Sequence, residues 1–282
     1  MGQQYYWYQK GNELKKDVET TYINNGFAYW YIGQVGMIFK WKEQIIYIDP
    51  VLNDLYGADG NSRRNYPPPF SPDNAAKPDI IMCTHNHADH MNVNTLVPML
   101  NHFPDAKLIV PAPEAEGLIK SGVEKNRIIP AVQETVIQLK SDISICPVAA
   151  AHPEYCEDEY GAQYALSYLV RLGEKTIFHS GDTYLTKELL ERLQQESVAL
   201  ACLSINGRDY ERESRGIIGN MSYRDAGYLA GMIEADMTIP MHYDMVQGNE
   251  ENPLRLLEYM EERWPGRKCH IMKLGEKIIY NF

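Results

Sequence analysis

Apolar residues cluster in short runs through the first fifty positions: Phe27–Ile32, Met37–Lys40 and Ile45–Asp49, separated by Gly-containing or charged turns such as Lys42-Glu43. Runs of this length between turn residues predict strands. Ahead of them Asn12–Tyr22 is charged and weakly helical, which predicts a surface helix within an N-terminal arm over residues 1–25. Asn53–Pro78 has turn chemistry throughout, with Asp59-Gly60-Asn61, Arg63-Arg64 and Pro67-Pro68-Pro69. A long irregular loop inside a compact domain is usually functional, so a lid over a site is one reading of it. Arg63 or Arg64 could then meet an anion, but solvated charge is the commoner fate of a surface Arg pair, and neither is assigned to the site.

From Ile80 the pattern changes to strand–helix alternation. The run Ile80–Cys83 is followed by a helix over Asn94–Leu100, a strand over Leu108–Val110 and a helix over Glu114–Lys120. Strands follow at Arg127–Ile129, Thr135–Leu139 and Ile143–Val148. Tyr164–Leu172 and Thr176–His179 then form a predicted hairpin turning at Gly173-Glu174. A helix over Thr186–Gln195 and a buried strand over Val198–Ile205 precede the Gly- and Arg-rich segment Asn206–Asn220. Ser222, with Asp225 three residues on, caps a helix running to about Glu234. Met237–Met241 is a strand, Asn252-Pro253 opens the last long helix, and His270–Leu274 with Lys277–Tyr280 predict a closing hairpin. Each half is strands followed by strand–helix units, with neither a dividing linker nor a short repeat. The expected fold is α/β, a single domain over residues 1–282 with a two-layer sheet core and helices outside.

The polar residues that interrupt this pattern sit where strands end. Thr84–His90 reads THNHADH, directly after Ile80–Cys83, and holds three of the eight histidines. Two His at i, i+2 on a strand end can turn both rings toward one ion, and the Asp89 and His90 that follow can reach a second. Imidazole and carboxylate without thiolate suit zinc, manganese or iron, and argue against a closed structural zinc site. Asp49 ends a strand before Pro50 and is expected to orient a metal-bound His. His152 follows Ala149-Ala150-Ala151, small residues that permit close approach. Asp182 follows a buried strand and Gly181, where its carboxylate can bridge two cations, and His242 ends Met237–Met241. His179, by strand alternation, reads as a packing or supporting residue.

Composition narrows the partners. A net charge of −11 and a pI near 5.2 exclude a general nucleic-acid binder, which needs a basic stripe. A local basic pocket for a small anionic substrate stays open. Five dispersed cysteines without a CxxC read as reduced thiols. Neither an apolar signal core nor a membrane-length run is present, so the expected location is the cytoplasm. Twenty tyrosines against six phenylalanines would suit a homo-oligomer.

The order of these residues resembles the metallo-β-lactamase superfamily: Asp at a strand end, HxHxDH, a lone His, an Asp after Gly, and a final His. The resemblance implies an αββα sandwich with a two-metal site at one edge of its sheets. It also implies a partition: His85, His87 and His152 on one metal, Asp89, His90 and His242 on the other, Asp182 bridging. His87 resembles the hydrolytic branch, since redox members tend to carry an acidic residue there. Tyr31–Met37, His179-Ser180-Gly181-Asp182, Arg215-Gly216-Ile217 with Met221-Ser222, and Ile239–Asp244 are similar to the L-ascorbate-6-phosphate lactonase family, over about Phe27 to Met245.

The ligand set and the resemblance together imply metal-assisted hydrolysis with Mn2+ or Zn2+. Two cations bridged by Asp182 would activate a shared water, and Asp89 would orient it or accept its proton. The expected substrate is a small anion, a phosphorylated sugar lactone, with Arg215 meeting the phosphate. A phosphodiesterase acting on a small phosphodiester needs the same ligands, and a metal-stabilised binding module without turnover is the third reading.

Overall fold

The computed structural model describes residues 6–281; the first five residues of the expected N-terminal arm, and Phe282, lie outside that range. Two seven-stranded sheets form the core. The first comprises β1 (Gly26–Gly33), β2 (Gly36–Trp41), β3 (Gln44–Ile48), β4 (Ile80–Met82), β5 (Lys107–Pro111), β6 (Ile128–Ala131) and, from the far end of the chain, β14 (Lys277–Asn281). Its order is β14-β1-β2-β3-β4-β5-β6, antiparallel as far as β3 and parallel from there. The second comprises β7 (Ile137–Lys140), β8 (Ile143–Ala149), β9 (Leu166–Leu172), β10 (Lys175–His179), β11 (Val198–Ser204), β12 (Met237–Met241) and β13 (Lys268–Cys269). It repeats the plan, antiparallel from β7 to β10 and parallel from β10 to β13. Hairpin-spaced runs gave the antiparallel part of each half, and strand–helix alternation gave the parallel part.

Most sheet strands are apolar on both faces because both faces are covered. In β1, Phe27, Tyr29 and Tyr31 point between the sheets, against Met37, Phe39, Ile48, Tyr168 and Val170. Their neighbours Ala28, Trp30 and Ile32 point outward, onto Leu14 and Val18 of α1 (Gly11–Thr20) and Leu96 and Met99 of α2 (Val93–His102). The second sheet turns Leu169, Phe178, Ala201 and Leu203 outward onto α4 (Lys187–Leu193), α6 (Tyr223–Met232) and α7 (Leu254–Arg263), while α3 (Ala115–Lys120) and α5 (Tyr210–Ser214) are short. The result is the expected αββα sandwich. Each fully buried large side chain of these layers contributes roughly 1.5–3 kcal/mol of transfer free energy.

Local signals at the helix ends act as the sequence predicts. Ser222 Oγ accepts the Asp225 amide at 3.2 Å while Asp225 Oδ2 accepts the Ser222 amide at 3.0 Å, a complete capping box. Asn252 Oδ1 accepts the Leu254 amide at 3.1 Å and starts α7 one residue later than expected. The closing hairpin is a correction: His270–Leu274 is not a strand and does not pair with Lys277–Tyr280. Lys268–Cys269 pairs parallel with β12 in the second sheet, whereas Lys277–Asn281 crosses over to pair antiparallel with β1 in the first. Both β12 and β1 had an open edge, and pairing the two C-terminal runs with each other would have left both unpaired.

Tyrosine divides between surface and core: Tyr22, Tyr160 and Tyr210 are among those exposed, and others are enclosed. Tyr31, Tyr47, Tyr66 and Tyr168 are buried, and their hydroxyls donate to groups around the strand ends. Tyr168 reaches the Cys83 carbonyl at 2.8 Å and Tyr47 the Ala76 carbonyl at 3.0 Å. Phenylalanine would pack as well but leave those carbonyls unpaired. Among the described residues no helix is long and apolar enough to cross a membrane.

Candidate metal centre

All seven expected ligands meet at one end of the sandwich, on the loops that leave β4, β8, β10 and β12. Two groups form there: His85, His87, His152 and Asp182, and then Asp89, His90 and His242, each with ligand atoms within 4.8 Å of one another. His85 Nε2 and His152 Nε2 lie 2.9 and 3.2 Å from His87 Nδ1. His242 Nε2 lies 3.3 Å and His90 Nε2 3.7 Å from Asp89 Oδ2. Asp182 joins the groups. Its Oδ2 stands 3.2 Å from His242 Nε2, 3.3 Å from His90 Nε2, 3.7 Å from His152 Nε2 and 4.0 Å from His85 Nε2.

The loop geometry that permits this is specific. Gly181 has φ +55, and a Cβ there would stand 2.7 Å from Thr84 Cβ, so only glycine lets the Asp182 turn pass the His85 loop. Asp49 and His242 hold φ of 46 and 58, a conformation that non-glycine residues rarely adopt and that concentrates at functional sites. Asp49 Oδ1 accepts the Thr84 amide at 2.8 Å and Oδ2 accepts the Thr84 hydroxyl at 2.6 Å. The same Oδ2 lies 2.8 Å from His90 Nδ1, which places the ring proton there and turns Nε2 to the centre. Asp49 thus takes the orienting position expected of it. His179 is buried with Nε2 on the Val35 carbonyl at 2.8 Å and is a packing residue, as its strand position predicts.

These residues fit divalent cations on their own chemistry. Burial holds His85 well below the usual imidazole range, lowers His87, and brings His152 down to about 4, so three neutral rings aim nitrogens at one point. Burial also opposes charge on His90 and His242, but Asp182 and Asp89 outweigh it, with Asp49 also acting on His90. His90 is held well above its usual range and His242 at about 9. The carboxylates respond in kind: burial would raise Asp182 and Asp89, yet the facing histidines hold both far below the carboxylate range. His90 Nε2 is buried and has no hydrogen-bond partner. A buried ring nitrogen among carboxylates and neutral imidazoles is an environment that a cation satisfies and a proton satisfies only in part.

A cavity of about 570 Å³ opens over the centre. His87, Asp89, Asp182 and His242 lie in its floor. The Asn53–Pro78 loop supplies one wall through Asp54, Leu55, Tyr56 and Arg63, and Ile217 and Ile218 line it as well. That loop is tied down along its length, since Asn65 N donates to the Met245 carbonyl at 2.8 Å and Gln247 N to the Arg63 carbonyl at 2.9 Å. Arg63 pairs with Asp59 at 2.9 Å, and its guanidinium lies against Gly57, where a Cβ would stand 2.3 Å away. Arg64 is structural: buried, and donating to the carbonyls of Val51, Asn53 and Tyr66. Arg215 lies outside the lining, donating to the Gly248 carbonyl at 3.0 Å beside Glu211.

Sequence reasoning weighed Arg63 as an anion contact and left it out of the site, and missed Gln34 with the buried group behind it. Gln34 Nε2 stands 2.7 Å from Asp89 Oδ2 and 3.0 Å from His242 Nε2. Behind it Asp244 accepts from Tyr66 Oη at 2.7 Å, Tyr31 Oη at 3.0 Å and the Gln34 amide at 3.2 Å. Burial nevertheless pushes Asp244 up to about 6. A polar residue in a Gly33-Gln34-Val35-Gly36 turn between two apolar strands was the available signal.

The chain belongs to the metallo-β-lactamase superfamily, a class of metal-dependent hydrolases: the family described as the beta-lactamase superfamily domain matches residues 44–243. A UPF0173 protein of Pyrococcus abyssi is 30% identical over 219 residues, 78% of this chain and 84% of that one. A protein of Escherichia coli named "Probable L-ascorbate-6-phosphate lactonase UlaG" is 25% identical over 224 residues, 72% of this chain but 60% of the lactonase. The solved structure of an isothiocyanate hydrolase from Delia radicum gut bacteria superposes with a TM-score of 0.72 at 16% identity, covering 90% of this chain and 100% of that one, a likeness of fold.

Proposed function

We propose that this chain opens the lactone ring of a phosphorylated sugar acid, L-ascorbate 6-phosphate being the concrete substrate, by hydrolysis at a two-cation centre. One observation carries the reading: Asp182 Oδ2 faces imidazoles of both ligand groups, 3.2 to 4.0 Å away, below an open cleft. Two divalent cations, manganese or zinc, held by His85, His87 and His152 and by Asp89, His90 and His242 with Asp182 between, would lower the pKa of water and offset charge developing on a carbonyl oxygen.

The chain's own groups do the rest. Asp49 keeps the His90 proton on Nδ1, so that Nε2 serves the centre. Asp182 is enclosed, whereas the Asp89 side chain keeps 20% of its surface exposed. Asp89 Oδ2 is engaged by His90, His242 and Gln34, which leaves Oδ1 to orient the attacking water and take its proton. Arg63, Asn92 and Asn94 line the cleft as donors for an anionic substrate, and Ile217 and Ile218 offer an apolar surface for a small ring. A net charge of −11 leaves no basic stripe for a long nucleic acid.

The test is hydrolysis of L-ascorbate 6-phosphate by metal-stripped protein reloaded with manganese or zinc, with a small phosphodiester alongside. Chelator-sensitive lactone turnover with an inert diester is the expected result. Diester turnover with the lactone untouched would transfer the same centre to phosphodiester chemistry, and inertness toward both would remove the lactone assignment.

A further inference from the structure

The second ligand group, Asp89, His90 and His242, brings three side chains where the first brings three histidines and shares Asp182. A fourth side chain enters the second group from the first sheet, which also carries Asp89 and His90. Gln34 sits at the β1–β2 turn, 2% exposed, with φ 59. Such a backbone conformation is disfavoured for glutamine, and here it is pinned on every side. Its carbonyl accepts the His242 amide at 2.6 Å and the Tyr31 hydroxyl at 3.1 Å. Its own amide N–H reaches Asp244 Oδ1 and Tyr66 Oη, each at 3.2 Å. Holding a buried polar residue in this way places one thing: the end of its side chain.

That end is the terminal amide, 2.7 Å from Asp89 Oδ2 and 3.0 Å from His242 Nε2. Those two atoms are ligand atoms of the second group. An NH2 group that donates to the Asp89 carboxylate and lies against a ring nitrogen at once occupies the place of a positive charge. A cation arriving between Asp89 and His242 meets either that NH2, which repels it, or the amide oxygen, which binds it. The two ends of a glutamine amide are nearly identical in shape, and a half-turn about the last torsion exchanges them at little cost.

We propose that Gln34 is a further metal ligand of this centre, its amide oxygen binding the same divalent cation as Asp89, His90 and His242. The proposal rests on the two-cation reading of the centre. An oxygen donor beside one carboxylate and two imidazoles hardens the second site relative to the all-imidazole first group, which favours manganese there over softer ions. The strained turn and the Asp244, Tyr31 and Tyr66 bonds are then the device that holds the ligand in place.

The experiment measures cation stoichiometry and affinity by chelator competition, with no turnover involved, for wild type, Gln34→Leu and Gln34→Glu. Wild type is expected to bind two manganese ions per chain. Gln34→Leu, close in shape but without the oxygen, should weaken the second ion by about 10–100-fold and leave the first unchanged. Gln34→Glu presents an oxygen in either orientation and should bind the second ion at least as tightly as wild type. If Gln34 only donates its NH2 to Asp89, glutamate would repel that carboxylate and bind the second ion worst of the three, which overturns the proposal. Equal affinities in all three proteins would overturn it too. A wild-type protein that takes fewer than two ions would instead remove the two-cation reading and this proposal with it, so the two failures are distinguishable. A loss of the first ion in Gln34→Leu would mark a folding defect, and Gln34→Glu against wild type then decides alone.

Discussion

At the scale of single residues, the centre depends on one carboxylate that serves both ligand groups. Asp182→Asn keeps the shape and the Ser204 contact at Oδ1 but removes the charge that faces four imidazoles. Turnover should fall by about 10²–10³-fold or more, as for other losses of charge aimed at a reacting centre, and cation binding should weaken in both groups. Rate and metal content together check this; wild-type rates at equal metal content would refute it. The arginines give a second comparison. Arg63 lines the cleft and Arg215 stands behind it, bonded to Gly248 and paired with Glu211. Arg63→Ala should raise KM for the phosphorylated lactone at least tenfold and leave its unphosphorylated analogue nearly unchanged, since a charge-assisted bond to phosphate is worth about 1.5–3 kcal/mol. Arg215→Ala should move neither. The reverse pattern would put the phosphate at Arg215, where resemblance to the lactonases places it.

At the scale of elements, the first sheet is closed by a strand from the other end of the chain, and a helix clamps the junction. Asp17 on α1 accepts from Gln9 Nε2 and Trp30 Nε1, both at 2.8 Å, and from Lys277 Nζ at 2.6 Å. It joins the N-terminal helix, β1 and β14. Burial alone would raise its pKa, but the bonds from Lys277, Trp30 and Gln9 outweigh that and hold it below the ordinary 3.8. A carboxylate with a depressed folded-state pKa adds stability above the unfolded value and loses it as pH falls through the folded one. Asp17→Asn should therefore cost about 1–2 kcal/mol at pH 7, solvent screening included. The gap to wild type should close below pH ~3.8 as wild-type Asp17 takes up its proton. Urea denaturation at pH 7 and at pH 3 checks both halves of that statement.

At the scale of the whole molecule, the ligand loops leave both sheets: His85 to His90 follow β4 of the first, while His152, Asp182 and His242 follow strands of the second. A cation held by both joins the two layers at one edge. Cations bind the folded chain and find no such cluster in the unfolded one, so loading should stabilise the fold by about 2.7 kcal/mol at a free concentration of 100 Kd. Stripping the metal with a chelator should lower Tm by several degrees and restoring manganese or zinc should recover it, as read by differential scanning calorimetry. An unchanged Tm would mean that the centre is not loaded from both layers.

Most elements, and the seven residues that the fold gathers as candidate ligands, were legible because their causes are local. Strand length, turn residues and caps act within a few positions, and a ligand must sit where a strand stops, so HxHxDH, His152, Asp182 and His242 announced themselves by spacing and by what preceded them. The pairing of Lys268–Cys269 with β12 and of Lys277–Asn281 with β1 was decided by open edges far away in sequence, which no local pattern encodes. Tyr31 read as part of an apolar strand and Tyr66 as part of a turn-rich loop until the fold placed Asp244 between their hydroxyls. Arg63 and Arg215 are chemically alike, and only the path of two loops put one on the cleft wall and the other behind it. Gln34 carries no metal-ligand signature by type. The sequence by itself determined the layers of the fold and which side chains could serve as ligands, because apolar periodicity and ligand spacing are properties of neighbouring residues. Tertiary structure alone decided which strands close the sheets and which polar side chains attend the centre, because those are distances between segments that meet only when the chain has folded.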